Sequence, residues 1–195
     1  MLLALASKWI GLIVGVAVGF VVILIICGFI GIRNSFVRLR NAVDEAWATI
    51  DVYLKKRYDL IPNLVETVKG YTKHESETLE NVIKARNLAM SASTPDDKIA
   101  AEGQLAGCLK SLFKLSEAYP DLKASSQFTS LQSSLSGIEG ELAQARKFYN
   151  AKVKAFNTKR ELFPNSIVAG FMGLTARKYF ELDSEEERQN IKVSF

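Results

Sequence analysis

The chain has 195 residues, with 25 lysines and arginines against 21 aspartates and glutamates and a formal net charge of +4. Basic and acidic residues interleave throughout, and no basic block alternates with aromatics as phosphate tracking and base stacking require, which argues against a nucleic-acid partner. Cys27 lies in an apolar segment and Cys108 far from it, so the pair reads as no bridge and reports no redox compartment.

A short flank, residues 1–8, precedes WIGLIVGVAVGFVVILIICGFIGI, residues 9–32, which holds no charge. At about 1.5 Å per residue, a helix of this length crosses the roughly 30 Å hydrocarbon core of a lipid bilayer with some tilt. A cleaved signal peptide has an apolar region of roughly 7 to 15 residues and a small-residue cleavage site. This run is longer and ends in GIRNSF, so it reads as an uncleaved single-pass anchor in a cell membrane. Arg33, Arg38 and Arg40 follow the span while Lys8 alone precedes it, which puts the following domain in the cytoplasm by the positive-inside tendency. Gly11, Gly15 and Gly19 recur on one face of the span. They are either a self-association face that admits a second backbone or the ordinary glycine content of a membrane helix.

The rest of the chain, about 160 residues, is the size of one domain. From Phe36 the apolar positions Leu39, Val43, Ala46, Ile50, Leu54, Tyr58, Ile61, Leu64 and Val68 follow at steps of three or four, the face of one long helix. No turn signal separates Ile32 from Phe36, so the anchor is expected to run on into this helix. A turn near GYTKHE follows, then a second helix with Leu79, Val82, Ile83, Arg86 and Met90 on its face. In STPDDK, Ser93 or Thr94 can cap a third helix, Pro95 suits its first turn, and Asp96 and Asp97 favour the positive end of its dipole. That helix is expected to end by Ala118, because Pro120 disfavours helical geometry at Tyr119. Phe128, Leu131, Leu135, Ile138, Leu142, Ala145, Tyr149, Val153 and Phe156 mark a fourth helix close to heptad packing.

These elements predict an all-α fold in which the N-terminal transmembrane helix continues into a long antiparallel helical bundle, residues 33–163. The tail, residues 164–195, holds the apolar NSIVAGFMGL and then FELDSEEERQNIKVSF, where Ile191, Val193 and Phe195 share a face. It is expected to lie over the bundle as a strap. A membrane-touching tail is the alternative, disfavoured because its acidic run is repelled by anionic lipid.

Groups for chemistry are sparse. His74 is the single histidine and sits at a helix boundary, and neither a zinc ligand set nor paired Glu-x-x-His motifs are present. No nucleophile elbow, phosphate loop or dinucleotide fingerprint appears, and Gly103 and Gly107 read as helix-packing positions. No catalytic residue, cofactor or metal is expected.

The polar stretch RYDLIPNLVETVKGY, residues 57–71, is therefore read as architecture. Pro62 lacks an amide hydrogen, so the Tyr58 carbonyl loses its helical partner and needs another donor. Arg57, Asp59, Asn63 and Glu66 lie within about a turn of the break, and Arg86, Glu117, Arg146 and Asn150 lie among apolar residues on other helices. Either these groups form a buried network that fixes helix register, with Arg146 as one of its ionic members, or several are surface residues.

IDVYLKKRYDLIPNLVETVKGYTKHE (50–75), EAYPDLKASSQFTSLQSSLSGIE (117–139), ARKFYNAKVKAFN (145–157) and the terminal KVSF together resemble the LemA family of bacterial membrane proteins, over a stretch from about Phe36 to the end. The resemblance implies an N-terminal anchor and a predominantly helical soluble domain, and it carries no enzymatic activity across to this chain. A similar magnetosome-membrane protein points toward membrane organisation. Through it Arg57, Tyr58, Asp59, Pro62, Asn63, Glu117, Tyr119, Pro120, Arg146, Tyr149 and Asn150 map as structural or interface residues. The functional expectation is a membrane-anchored scaffold that forms homo-oligomers and organises or shapes the bilayer. An adaptor holding a membrane protein partner is the alternative, and an enzyme or small-ligand receptor would need a concave pocket with converging polar groups.

Overall fold

The computed structural model describes residues 2–72 and 74–181. Among them the fold is all-α, with helices α1 (Leu2–Lys69), α2 (Ser76–Ser91), α3 (Pro95–Ser116), α4 (Pro120–Ala124), α5 (Ser126–Glu161) and α6 (Asn165–Phe171). The anchor and the first bundle helix are one element, α1, which runs through Pro62 to Lys69. Of the α1 stripe read from the sequence, Phe36, Val43, Ala46, Ile50, Leu54, Tyr58, Ile61, Leu64 and Val68 are buried, while Leu39 is half-buried.

Two features differ from expectation. The buried face of α2 is Leu79, Val82, Ala85 and Ala89, with Met90 exposed. Two alanines thus belong to the buried face of α2, which packs on α3. The linker YPDLK carries a short helix, α4, because Pro120 suits a first helical position and Leu122 beside it enters the core. At the start of α3 the cap is Thr94, whose Oγ1 accepts from the Asp97 amide at 3.1 Å.

Among the described residues, 2–44 and 152–177 form one compact unit, and 45–151 with 178–181 form another. In the first, Phe36 on α1 meets Phe156 on α5 edge to face at 6.1 Å, and Val168 and Ala169 of α6 are buried. Lys159 donates to the Ser35 hydroxyl and its ammonium lies 5.7 Å from the Phe36 ring centroid. α6 ends in a Schellman turn: Leu174 N donates to Ala169 O at 3.0 Å and Gly173 N to Gly170 O at 3.1 Å, with Gly173 at φ 62°. A side chain at that φ is strained, so glycine is what lets the chain leave the helix here.

In the second unit α1 runs antiparallel to α5: Trp47 faces Tyr149, and further along Arg57 faces Glu139. α2 and α3 pack on each other, and Lys98 at the start of α3 pairs with Asp51 of α1 at 2.8 Å.

The described residues after α6, to residue 181, have no regular structure, so their backbone groups need side-chain partners. In the first unit the Asn157 amide brackets Arg177, donating to its carbonyl at 2.8 Å and accepting from its N–H at 2.9 Å. In the second unit Asn150 does the same for Phe180 at 3.1 and 2.8 Å, and the Tyr149 hydroxyl donates to Lys178 O at 3.1 Å. The described part of the tail is thus a strap along α5, and its continuation, with Ile191, Val193 and Phe195, lies outside the described residues.

Candidate functional site

The site is built around one turn of α1. Arg57 falls in the apolar heptad Ile50, Leu54, Ile61, Leu64, and its side chain is 1% exposed. A guanidinium there loses its hydration, and the loss is tolerable only where carboxylates replace water. α3 supplies Glu102, fully buried, whose Oε2 meets Arg57 Nη2 in an ion pair, and α5 supplies Glu139, which accepts from Nη1. Arg57 Nε is buried without an acceptor, so the two carboxylates carry the compensation.

The neighbouring Tyr58 completes the cluster. Its hydroxyl donates to Glu102 Oε1, so that carboxylate is held by two consecutive residues of α1. Burial is the main cause that pushes the phenol up to about 12; the Asp51 charge adds to the shift and the Arg57 charge opposes it. The Tyr58 carbonyl, left without its helical partner by Pro62, accepts from Arg86 Nε of α2 at 2.8 Å. Four helices therefore meet at two consecutive residues, α3 and α5 through the Arg57 side chain and α2 through the Tyr58 backbone.

The remaining sequence-derived positions lie elsewhere. Asp59 is exposed and pairs with Lys55 one turn before it at 3.3 Å. Asn63 and Glu66 are exposed and line a shallow groove of about 430 Å³ with Thr67, Gln127, Ser130 and Leu131. Glu117 is exposed at the C-cap of α3, and Pro120 is exposed at the start of α4. The Tyr119 hydroxyl donates to Glu75 at 3.2 Å, and burial and that bond raise its pKa. Arg146 stacks on the ring of Phe180, 4.8 Å from the centroid, and Trp47 packs between Phe180 and Tyr149 at 5.9 and 5.4 Å. Tyr149 and Asn150 hold the strap. Gly15 and Gly19 have open space around them, and Gly11 lies in α1.

Sequence reasoning missed Glu102, Glu139 and Asn157. The signal for Glu102 was present: it occupies the stripe Leu105, Leu109, Leu112, Ser116 one step early, a carboxylate where an apolar residue belongs. Among the described residues no group of three or more His, Cys, Asp or Glu is placed to hold a metal ion. The cluster pairs the Arg57 guanidinium with two carboxylates and leaves Arg57 Nε without an acceptor.

Fold and site define a class: helical-bundle proteins with, among the described residues, one helix long and apolar enough to cross a membrane, near the N-terminus. The profile of the LemA family matches residues 46–195, and the chain belongs to that family. It is similar to Protein LemA of Metamycoplasma hominis, with 27% identity over 170 residues that cover 85% of this chain and 76% of the relative.

Arg57→Ala leaves Glu102 buried and uncompensated, so in urea unfolding of the full-length protein in detergent it lowers stability by about 3–5 kcal/mol. Asp59→Ala, which removes an exposed carboxylate paired only at the surface, leaves the midpoint unchanged.

Tyr58 gives a pH dependence of defined sign. Its folded pKa of about 12 exceeds the unfolded value near 10, so the folded state holds a proton the unfolded chain has lost between them. The stabilisation is complete below about pH 10 and is lost as pH rises through about 12, a slope worth roughly 2–3 kcal/mol. Unfolding midpoints recorded from pH 9 to 12 should show a steeper fall for the wild type than for Tyr58→Phe.

Proposed function

We propose that this protein is a non-enzymatic scaffold of the bacterial cell membrane, anchored by a single pass and assembled from copies of itself, which organises or shapes the bilayer. The observation that carries the reading is the surface of α1. Every residue from Gly15 to Gly31 is exposed, and the apolar part of the helix has a mean hydropathy of 2.9. Water does not tolerate so long an apolar surface, whereas a hydrocarbon phase does. Arg33, Arg38 and Arg40 are exposed just beyond the span and favour a cytoplasmic bundle.

Self-assembly draws on the glycine face. Gly15 and Gly19 have no atom within 4 Å of where a β-carbon would stand, so a second span can approach their backbone and gain dispersion contacts that a bulky side chain would block. The helix has no break between this face and the bundle residues, so the spacing set in lipid is carried into α1 beyond it. Below the span, the Arg57 cluster sets helix register and leaves no reactive group poised, as a scaffold requires.

Chemical cross-linking in native membranes tests the reading. The wild type should give species above the monomer, and Gly15→Leu should return most of the protein to monomer with the unfolding midpoint of the bundle unchanged. A wild type that never exceeds a monomer would make the protein an adaptor for a different membrane protein.

A further inference from the structure

The turn between α5 and α6 exposes large apolar side chains that no part of the described chain covers: Leu162 at 56%, Phe163 at 81%, Ile167 at 52% and Phe171 at 80%. These residues fall within ten positions, whereas exposed apolar residues scattered singly are the ordinary case. α6 has no conventional polar outer face. Val168 and Ala169 pack inward, and Ile167 and Phe171 point away from them.

Phe171 also fixes where this patch lies. Its ring meets Phe29 of α1 edge to face, with centroids 6.4 Å apart. Phe29 belongs to the uncharged span and precedes its last residue, Ile32, by nearly a turn, about 4.5 Å of rise into the hydrocarbon. A ring in contact with Phe29 shares that depth, because the separation is small beside the roughly 30 Å thickness of the hydrocarbon core. The flanking charges suit the boundary: Arg33 is exposed on α1, and Lys159 and Arg160 end α5 just before Leu162, with Glu161 paired to Arg160 at 3.1 Å. Arg33, exposed at that level, places its stem against the apolar layer and its charge among headgroups.

We propose that Leu162–Phe171 is a second membrane contact, an interfacial wedge in which Phe163, Ile167 and Phe171 enter the acyl boundary of the leaflet at the bundle end of the span. The proposal rests on the reading of residues 9–32 as a membrane span and adds a site to it. Inserted on one side of each span, the wedge displaces headgroups in that leaflet alone, and gives an assembled scaffold a direct means of acting on membrane shape. The patch takes lipid in preference to a second copy because it is continuous with a surface that already requires hydrocarbon.

The test uses full-length protein in phosphatidylglycerol–phosphatidylcholine vesicles, with Cys27 and Cys108 replaced by serine and a nitroxide placed singly at Phe163→Cys, Phe171→Cys, Val22→Cys or Lys154→Cys. Collision with oxygen, which partitions into lipid, is compared with collision with a water-soluble nickel chelate. At positions 163 and 171 the ratio should exceed that at 154 several-fold and approach that at 22. Aqueous ratios at 163 and 171 with a lipid ratio at 22 overturn the wedge and leave the span standing, whereas an aqueous ratio at 22 overturns the span itself. Labels at 163 and 171 shielded from both reagents mean that protein covers the patch, and this also overturns the proposal.

Discussion

Moving a guanidinium from water into a helical core costs several kcal/mol, and the bundle meets that cost at Arg57 only because two other helices bring carboxylates to it. The requirement is geometric. Glu102 reaches Arg57 from α3 and Glu139 reaches it from α5, so sliding α3 by one turn strands two charges in an apolar core, and sliding α5 takes the half-exposed Glu139 from Arg57. Apolar packing tolerates substitution and modest shifts, whereas an unpaired buried ion does not. The leucine and alanine stripes of this bundle supply the driving force for association, and the Arg57 cluster selects one register among those the stripes would accept. Pro62 adds the tie to α2, since it removes one helical hydrogen bond and leaves the Tyr58 carbonyl for Arg86.

Most of the fold was legible because it is periodic. Heptad-like stripes on α1 and α5, the Thr94-Pro95 start of α3 and the uncharged run at the N-terminus each have a local cause, and the structure has helices at all of them. The buried face of α2 was less legible because it includes Ala85 and Ala89, small residues that a hydrophobicity pattern underweights beside Ile83 and Met90. α4 and α6 are too short for any periodicity to announce them. The site was half legible. A proline inside an amphipathic pattern says that a carbonyl needs a donor, and the donor is an arginine on another helix. Which arginine, and which acids face Arg57, depends on the pairing of helices distant in sequence. A charged residue on an apolar stripe was the available clue, and it applies to Arg57 and Glu102 alike.

The same physical rule governs the tail. A strap without secondary structure would leave backbone groups unpaired, and two asparagines on α5, Asn150 and Asn157, offer their amides as substitutes for a neighbouring strand. Their spacing of two helical turns puts them on one face, where an extended segment can follow the helix. Phe180 then seats against Trp47 and under Arg146, so the strap carries apolar burial as well as hydrogen bonds. Polar side chains in this protein thus close gaps left by the backbone, at Pro62 and along the strap.

That the Arg57 cluster selects register, beyond adding stability, is the central claim, and replacing the pair by apolar residues of similar volume separates the two roles. In Arg57→Met/Glu102→Leu no buried charge is left stranded on α1 or α3, so the helices still associate and unfold at a midpoint near the wild type's. Distances between nitroxides on the exposed faces of α1 and α3, measured by pulsed electron resonance on the full-length protein in lipid, report register directly. The account predicts one narrow distribution for the wild type and a broad or multiple one for the double variant. A double variant as stable as the wild type, with the same single narrow distribution, would contradict it.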